Sequence, residues 1–310
     1  MNTLAALPAL VLHLALVLLL APTVAGLLAA TRARLAGQAG PPWTQPWRDL
    51  ARLARKAPTV ADPASDLAGF APGARLALLL AAAALVPSFA HGTATDPWAD
   101  LLLVLGLLGL ARALLSLAAL DGGSSASANA AASMLTRAAR AAPIAALAVL
   151  VFGLFTQGSH LPALATATGH APPLAHLPLV LAILALGWPA IVDTSLGPMR
   201  GAVAMTMDAD FSGRDLALLR FGDMLLVVIW LTLLAALLPP FGRAAAANPT
   251  DWPLALLAWL GKLLTLTAMV VMLQALGRRW TAAEQAEGGS IAQLAATLGS
   301  LLALALMGRA

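Results

Sequence analysis

Charged side chains buried in apolar runs are the groups of this chain best placed to do chemistry. Only 10% of its 310 residues are charged. An ionised group among aliphatic residues is costly unless it is paired or wetted, so each one is a candidate for ion pairing or proton transfer. Lys262 stands between Leu260 and Leu263 with no nearby acid in its own run to neutralise it. That placement predicts a position facing a bundle interior, against an acid on another helix or along a hydrated path. Arg112 is similarly embedded, with Asp121 nine positions on. Asp223 opens another long apolar stretch and has Arg220 at a helical spacing of three, close enough to pair. Asp193, Asp208 and Asp210 fall in the most polar segment, with Arg200, Arg214, Asp215 and Arg220. The chemistry open to such a set is the holding and release of protons or ions by fixed charges. His13, alone in an apolar run, reads as structural.

Other chemistries lack their residues. There is no Cys, so disulfides, thiolate metal sites and cysteine nucleophiles are excluded from this polypeptide. The five His are dispersed at 13, 91, 160, 170 and 176, which predicts no metal centre. No HExxH, G-x-S-x-G or P-loop pattern occurs. The net charge of +4 sits in short loops without interleaved aromatics, so nucleic acid is not an expected partner.

The elements that must position these charges are membrane helices. Hydrophobic residues make up 60% of the chain, and the mean hydropathy is +0.86. A soluble domain of this size needs a more polar shell. Apolar runs long enough, or nearly long enough, to cross a bilayer lie at about Leu4–Ala30, Leu76–Ala90, Trp98–Leu120, Pro143–Phe155, Leu174–Ile191, Phe221–Leu238, Trp252–Leu276 and Ile291–Met307. The expected fold is therefore all-α: a polytopic transmembrane helix bundle of about eight spans, forming a single integral membrane domain over residues 1–310. The first run has no basic residue ahead of it and reads as a retained span.

Positive charge orients the bundle. Arg32, Arg34, Arg48, Arg52, Arg55, Lys56, Arg75, Arg137, Arg140, Arg200, Arg214, Arg220, Arg278 and Arg279 fall in alternate loops, leaving only Arg243 and Arg309 on the other side. The positive-inside rule then predicts both termini on the periplasmic side. Two cytoplasmic loops stand out, at about 31–75 and 192–220. In the first, Gly40, Pro41 and Pro42 stop the leading helix, and residues 48–56 can form a short amphipathic helix. Trp47, Leu50 and Leu53 line one side of it, with Arg48, Arg52, Arg55 and Lys56 opposite. In the second, Ser212 can cap a helix starting at Gly213, with Asp215 near its positive end. Gly122 to Ser125 and the Ala/Ser run after them read as a mobile connection.

Several of these segments carry a family resemblance. Gly37-Gln38-Ala39-Gly40-Pro41-Pro42, then Gln45, Pro46 and Trp47-Arg48-Asp49-Leu50, resemble the first inward loop of the NADH dehydrogenase subunit 1 family. The likeness is to the branch serving group 4 nickel–iron hydrogenases, that of formate hydrogenlyase subunit 4 and hydrogenase-4 component C. Leu120-Asp121-Gly122-Gly123-Ser124 and Phe211-Ser212-Gly213-Arg214-Asp215-Leu216-Ala217-Leu218 are similar to two further motifs of that branch. The resemblance implies a noncatalytic membrane anchor in the bacterial inner membrane, binding no cofactor itself. Its implied partners are a hydrogenase-like or dehydrogenase-like large subunit, an iron–sulfur small subunit and antiporter-like membrane subunits. Nickel–iron and iron–sulfur centres would lie in those partners, and quinone is left open. Arg48, Asp49, Arg52, Arg55, Lys56, Arg214 and Asp215 are the implied docking residues, and Asp223 matches a family acid. Ser133 and Met134 stand where the family has an Arg-Glu pair, and no Glu precedes the Phe211 motif, so anchoring carries over more fully than proton coupling. The alternatives are an independent secondary transporter or channel, against which no inverted repeat is visible, and an assembly subunit with no ion path.

Overall fold

A computed structural model describes residues 3–58, 65–163, 177–194, 206–238, 242–277, 297–299 and 301–302. It is a helix bundle. The helices are α1 (Thr3–Leu35), α2 (Gln45–Ala54), α3 (Asp66–Leu85), α4 (Leu101–Asp121), α5 (Ser125–Thr156), α6 (Leu177–Asp193), α7 (Gly213–Leu237) and α8 (Trp252–Gly277). Among the described residues, 6 helices are long and apolar enough to cross a membrane, and α6 is a shorter apolar helix. The chain is a multi-pass membrane protein. The expected span at Ile291–Met307 falls almost wholly outside the described residues, as do Arg200, Arg278 and Arg279.

α7 is the central post. Every residue from Leu225 to Leu237 is buried, because α1, α2, α3, α6 and α8 all pack against it. α3 pairs with α4, and α5 with both α4 and α6. α8 is largely peripheral: Leu254, Leu257, Leu264 and Met272 are all exposed, as lipid-facing aliphatics are.

The two ends of the bundle are built differently. At one end a two-residue parallel pairing joins Ala90–His91, just after α3, to Ala244–Ala245, just after α7. Asp100 bridges to His160 there, and Phe89 meets the Trp252 ring edge-on at 5.9 Å. We call this the capped end. At the other, basic end lie α2, the start of α7, and the cations Arg32, Arg34, Arg48, Arg52, Arg55 and Lys56.

Several sequence boundaries shift, each for a physical reason. α3 begins at Asp66 rather than Leu76, because Ser65 takes the N-cap position and accepts from the Leu67 amide. Arg75, counted as a loop cation, is therefore inside a helix. The expected short span Pro143–Phe155 is the second half of the 32-residue α5, which carries Pro143 within it. The Ala/Ser run before it is helix and not a mobile link: Ser124 caps α5 by accepting from the Ser127 amide, and alanine is the strongest helix former. α2 starts earlier and ends earlier than expected, with Pro46 in its first turn, where a missing N–H costs nothing. α7 starts at Gly213 as expected, with Asp215 in its first turn, but the Ser212 side chain makes no capping bond.

Candidate functional site: buried ion pairs at the basic end

Among the described residues the most buried cation is Arg75 of α3, at 2% exposure. Its Nη2 donates to Asp223 Oδ1 of α7 at 2.6 Å, and Nη1 donates to the Leu219 carbonyl at 3.1 Å. Its Nε is buried without a hydrogen-bond partner. Room for the guanidinium comes from Gly222: a Cβ there would stand 3.1 Å from Arg75 Nη1. Asp223 lies ten residues into α7, about 15 Å from its start at ~1.5 Å per residue. The pairing with Arg220 expected from spacing is replaced. Arg220 turns to Asp208 at a loose 3.9 Å, while the cation reaching Asp223 comes from 148 residues away.

A second pair ties three helices together. Arg112 Nε of α4 donates to Asp193 Oδ1 at the end of α6, at 2.6 Å. Trp230 Nε1 of α7 donates to Asp193 Oδ2 at 2.9 Å. Asp193 is 1% exposed, so these charge-assisted bonds run where water cannot compete.

The remaining sequence candidates divide. Asp121 ends α4 and accepts from the Ser65 amide at 2.8 Å and hydroxyl at 2.9 Å, which ties the start of α3 to the end of α4. Asp210 lies against Gly122, with one carboxylate oxygen buried and lacking a hydrogen-bond partner. Lys262 is buried but belongs to the other end, beside Arg243, which follows α7. Arg243 donates to the Ala236 carbonyl; burial pushes its pKa down to about 10, against which Asp96 pulls upward. His13 is structural, as expected: its ring bonds Ser88 at 2.7 Å and the Ala83 carbonyl at 2.8 Å. Arg75 and Trp230 were not sequence candidates. Arg75 could have been found by starting the second span at the Ser65 cap, which puts it mid-run; nothing in the sequence marks Trp230.

The docking candidates form two adjoining groups. The segment after α2 meets the first turn of α7 at Gly213, where φ is +55° and any Cβ would overlap the Ala57 carbonyl. Lys56, Arg214 and Asp215 therefore share this junction. Arg48, Asp49 and Arg52 lie on α2, with Arg55 at its C-cap, and Leu53 of the helix is buried against the bundle. The loop is also pinned to α1: a Cβ at Gly26 would overlap the Trp43 carbonyl, and one at Gly40 would come within 2.8 Å of the Ala30 carbonyl. The basic end is thus a preformed platform.

Comparison with known proteins covers nearly the whole chain. The family model for NADH dehydrogenase matches residues 5–305. Hydrogenase-4 component C of Escherichia coli (strain K12) is 28% identical over 236 residues, 74% of this chain and 74% of that protein. Formate hydrogenlyase subunit 4 of the same organism is 23% identical over 259 residues, 82% of this chain and 84% of that one. A chain in the structure of the membrane-bound sulfane sulfur reductase, an archaeal respiratory membrane complex, has the same fold: TM-score 0.80 at 17% identity, covering 96% of this chain and 99% of that chain.

Proposed function

Since the chain belongs to the NADH dehydrogenase family, we propose that it is the membrane-anchoring subunit of a complex-I-like or group 4 hydrogenase-type respiratory complex. It holds a soluble redox arm at the basic end and connects it to ion-translocating membrane subunits. The observation that carries this reading is the family match along the whole chain, shared by relatives named as hydrogenase and formate hydrogenlyase components. The pinned junction of Lys56, Arg214 and Asp215 supports it, because a docking surface that is rigid before binding loses little entropy on binding.

In this reading the redox centres, nickel–iron and iron–sulfur, belong to a hydrogenase-like or dehydrogenase-like large subunit and an iron–sulfur small subunit. Antiporter-like subunits lie beside the chain in a bacterial inner membrane, with the basic end facing the cytoplasm. This chain's own residues contribute fixed charge. Asp223 and Asp193, each held by an arginine, are the acids through which a proton could pass within the bundle; Asp208, Asp210 and Asp121 lead toward them from the basic end. Arg75 and Arg112 fix the positions of these two carboxylates within the bundle.

Gentle solubilisation followed by mass spectrometry of the stable partners tests the assignment. Co-purification of a hydrogenase-like or dehydrogenase-like large subunit with an antiporter-like subunit is the expected result. A functional homo-oligomer with no such partners would overturn it.

A further inference from the structure

We propose that the exposed side of α2, with Trp43 ahead of it, is a binding site for the headgroups of anionic membrane phospholipids. The proposal concerns a surface beside the arm-docking junction and stands whether or not that reading holds.

Depth comes first. His13 of α1 lies against Ala83 near the end of α3, and the two helices run antiparallel. The rise from Ala83 back to Asp66 at the start of α3, taken along α1 from His13, reaches Ala30. Gly26, on which the Trp43 backbone is seated, lies four residues short of that level, about 6 Å toward the membrane interior. α1 itself has 33 residues, about 50 Å of helix against a hydrocarbon core of about 30 Å, so its last turns emerge from the bilayer. Trp43 is thus held where α1 crosses the boundary of the bilayer, not out in water.

Composition fits that depth. Trp43 is 53% exposed and Trp47 37% exposed; indoles left open in this way are favoured at the glycerol and headgroup level, where one edge is apolar and the N–H is wet. Around the same open side of α2 stand Arg48, Arg52 and Arg55, all exposed. The helix carries one acid, Asp49, and it is already engaged by Gln45 Nε2 at 3.1 Å and Arg52 at 3.3 Å. The inner side is closed by buried Leu53. A short helix at this depth, with exposed tryptophans and three exposed arginines around its open side, matches the phosphates of phosphatidylglycerol or cardiolipin in charge and in depth.

The test uses the full chain in nanodiscs of phosphatidylcholine carrying either brominated phosphatidylglycerol or brominated phosphatidylcholine as the quencher. The signal is the tryptophan fluorescence that Trp43→Phe/Trp47→Phe removes. We expect brominated phosphatidylglycerol to quench it about twofold more strongly than brominated phosphatidylcholine, less so at high salt. Arg48→Gln/Arg52→Gln/Arg55→Gln should bring the ratio close to one, and lysine at the same positions should restore most of it. Equal quenching by both lipids in the unaltered chain overturns the proposal. So does fluorescence open to acrylamide but untouched by either lipid, the behaviour of a surface reserved for a soluble protein. The difference between the unaltered and Trp43→Phe/Trp47→Phe chains decides the outcome, so an arginine variant that fails to fold leaves the test intact.

Discussion

The basic half and the capped half of the bundle solve the problem of buried charge in opposite ways. In the basic half, the acids Asp223 and Asp193 are each met by an arginine from another helix at 2.6 Å. In the capped half, the charges that stand out are two cations, buried Lys262 and half-buried Arg243, close enough to feel each other. That end is held by backbone pairing and by the Phe89–Trp252 contact. An ion pair can be opened and closed by a proton, whereas a backbone ladder cannot. The basic half is therefore where switching chemistry belongs, and the capped half reads as scaffold.

The comparison breaks most visibly at Arg75. Arg75→Leu leaves Asp223 without its cation and should cost about 3–5 kcal/mol, read as a lower unfolding midpoint in detergent. Adding Asp223→Leu should recover much of that loss; no recovery would mean that Arg75 acts through packing instead. Next comes Trp230→Phe, which removes one of the bonds to Asp193 and should cost about 1.5–3 kcal/mol; Trp259→Phe, away from any acid's bond, is the control. Gly213→Ala forces a strained backbone conformation of order 1–3 kcal/mol and pushes the loop away from α7. The expected readout is faster proteolysis between α2 and α3, with cleavage elsewhere unchanged. The smallest effect belongs to the capped half. Asp100 caps α4 through the Leu102 and Leu103 amides, and Asp100→Ala should cost about 1 kcal/mol. Burial raises the Asp100 pKa, but bonds from Ser159, Leu103 and Leu102 and the charge of His160 outweigh it, so the net shift is downward. A depressed carboxylate stabilises the fold above its unfolded pKa and loses that contribution as pH falls through its folded value. Acid titration of unfolding should therefore show a step below the ordinary aspartate range that Asp100→Asn removes.

Function sharpens the same contrast. With assembly intact, Asp223→Asn is expected to lower proton movement more than redox turnover, while Lys262→Ala, in the capped half, leaves the two coupled; unchanged proton-to-electron stoichiometry in Asp223→Asn would end the proposal of a path through this chain.

Much of the bundle was legible from apolar runs, because lipid demands long aliphatic stretches, and the start of α7 at Gly213 was legible too; the caps at Ser65, Asp100 and Ser124 came only with the structure. What stayed hidden had two causes. The Ala/Ser run opening α5 is polar enough to read as a loop, although alanine makes it helix. Likewise Arg75 and Arg220 carry the same charge in similar sequence, yet one is buried and the other half-exposed, because packing across 148 residues selects Asp223's partner. Candidate acids could be named one by one, and their pairing could not. The docking junction was half visible: both segments were picked out, while their contact at Gly213 and Ala57 required the fold.

The anchoring role has a direct test at that junction. A photo-crosslinking amino acid placed at Arg214, and separately at the exposed position Leu254 on α8, would be activated in native membranes. The account predicts that the first captures a soluble redox subunit bearing iron–sulfur or nickel–iron centres, and that the second captures only lipid or membrane subunits. Capture of no soluble subunit from position 214, in membranes where the chain is folded and assembled, would contradict it.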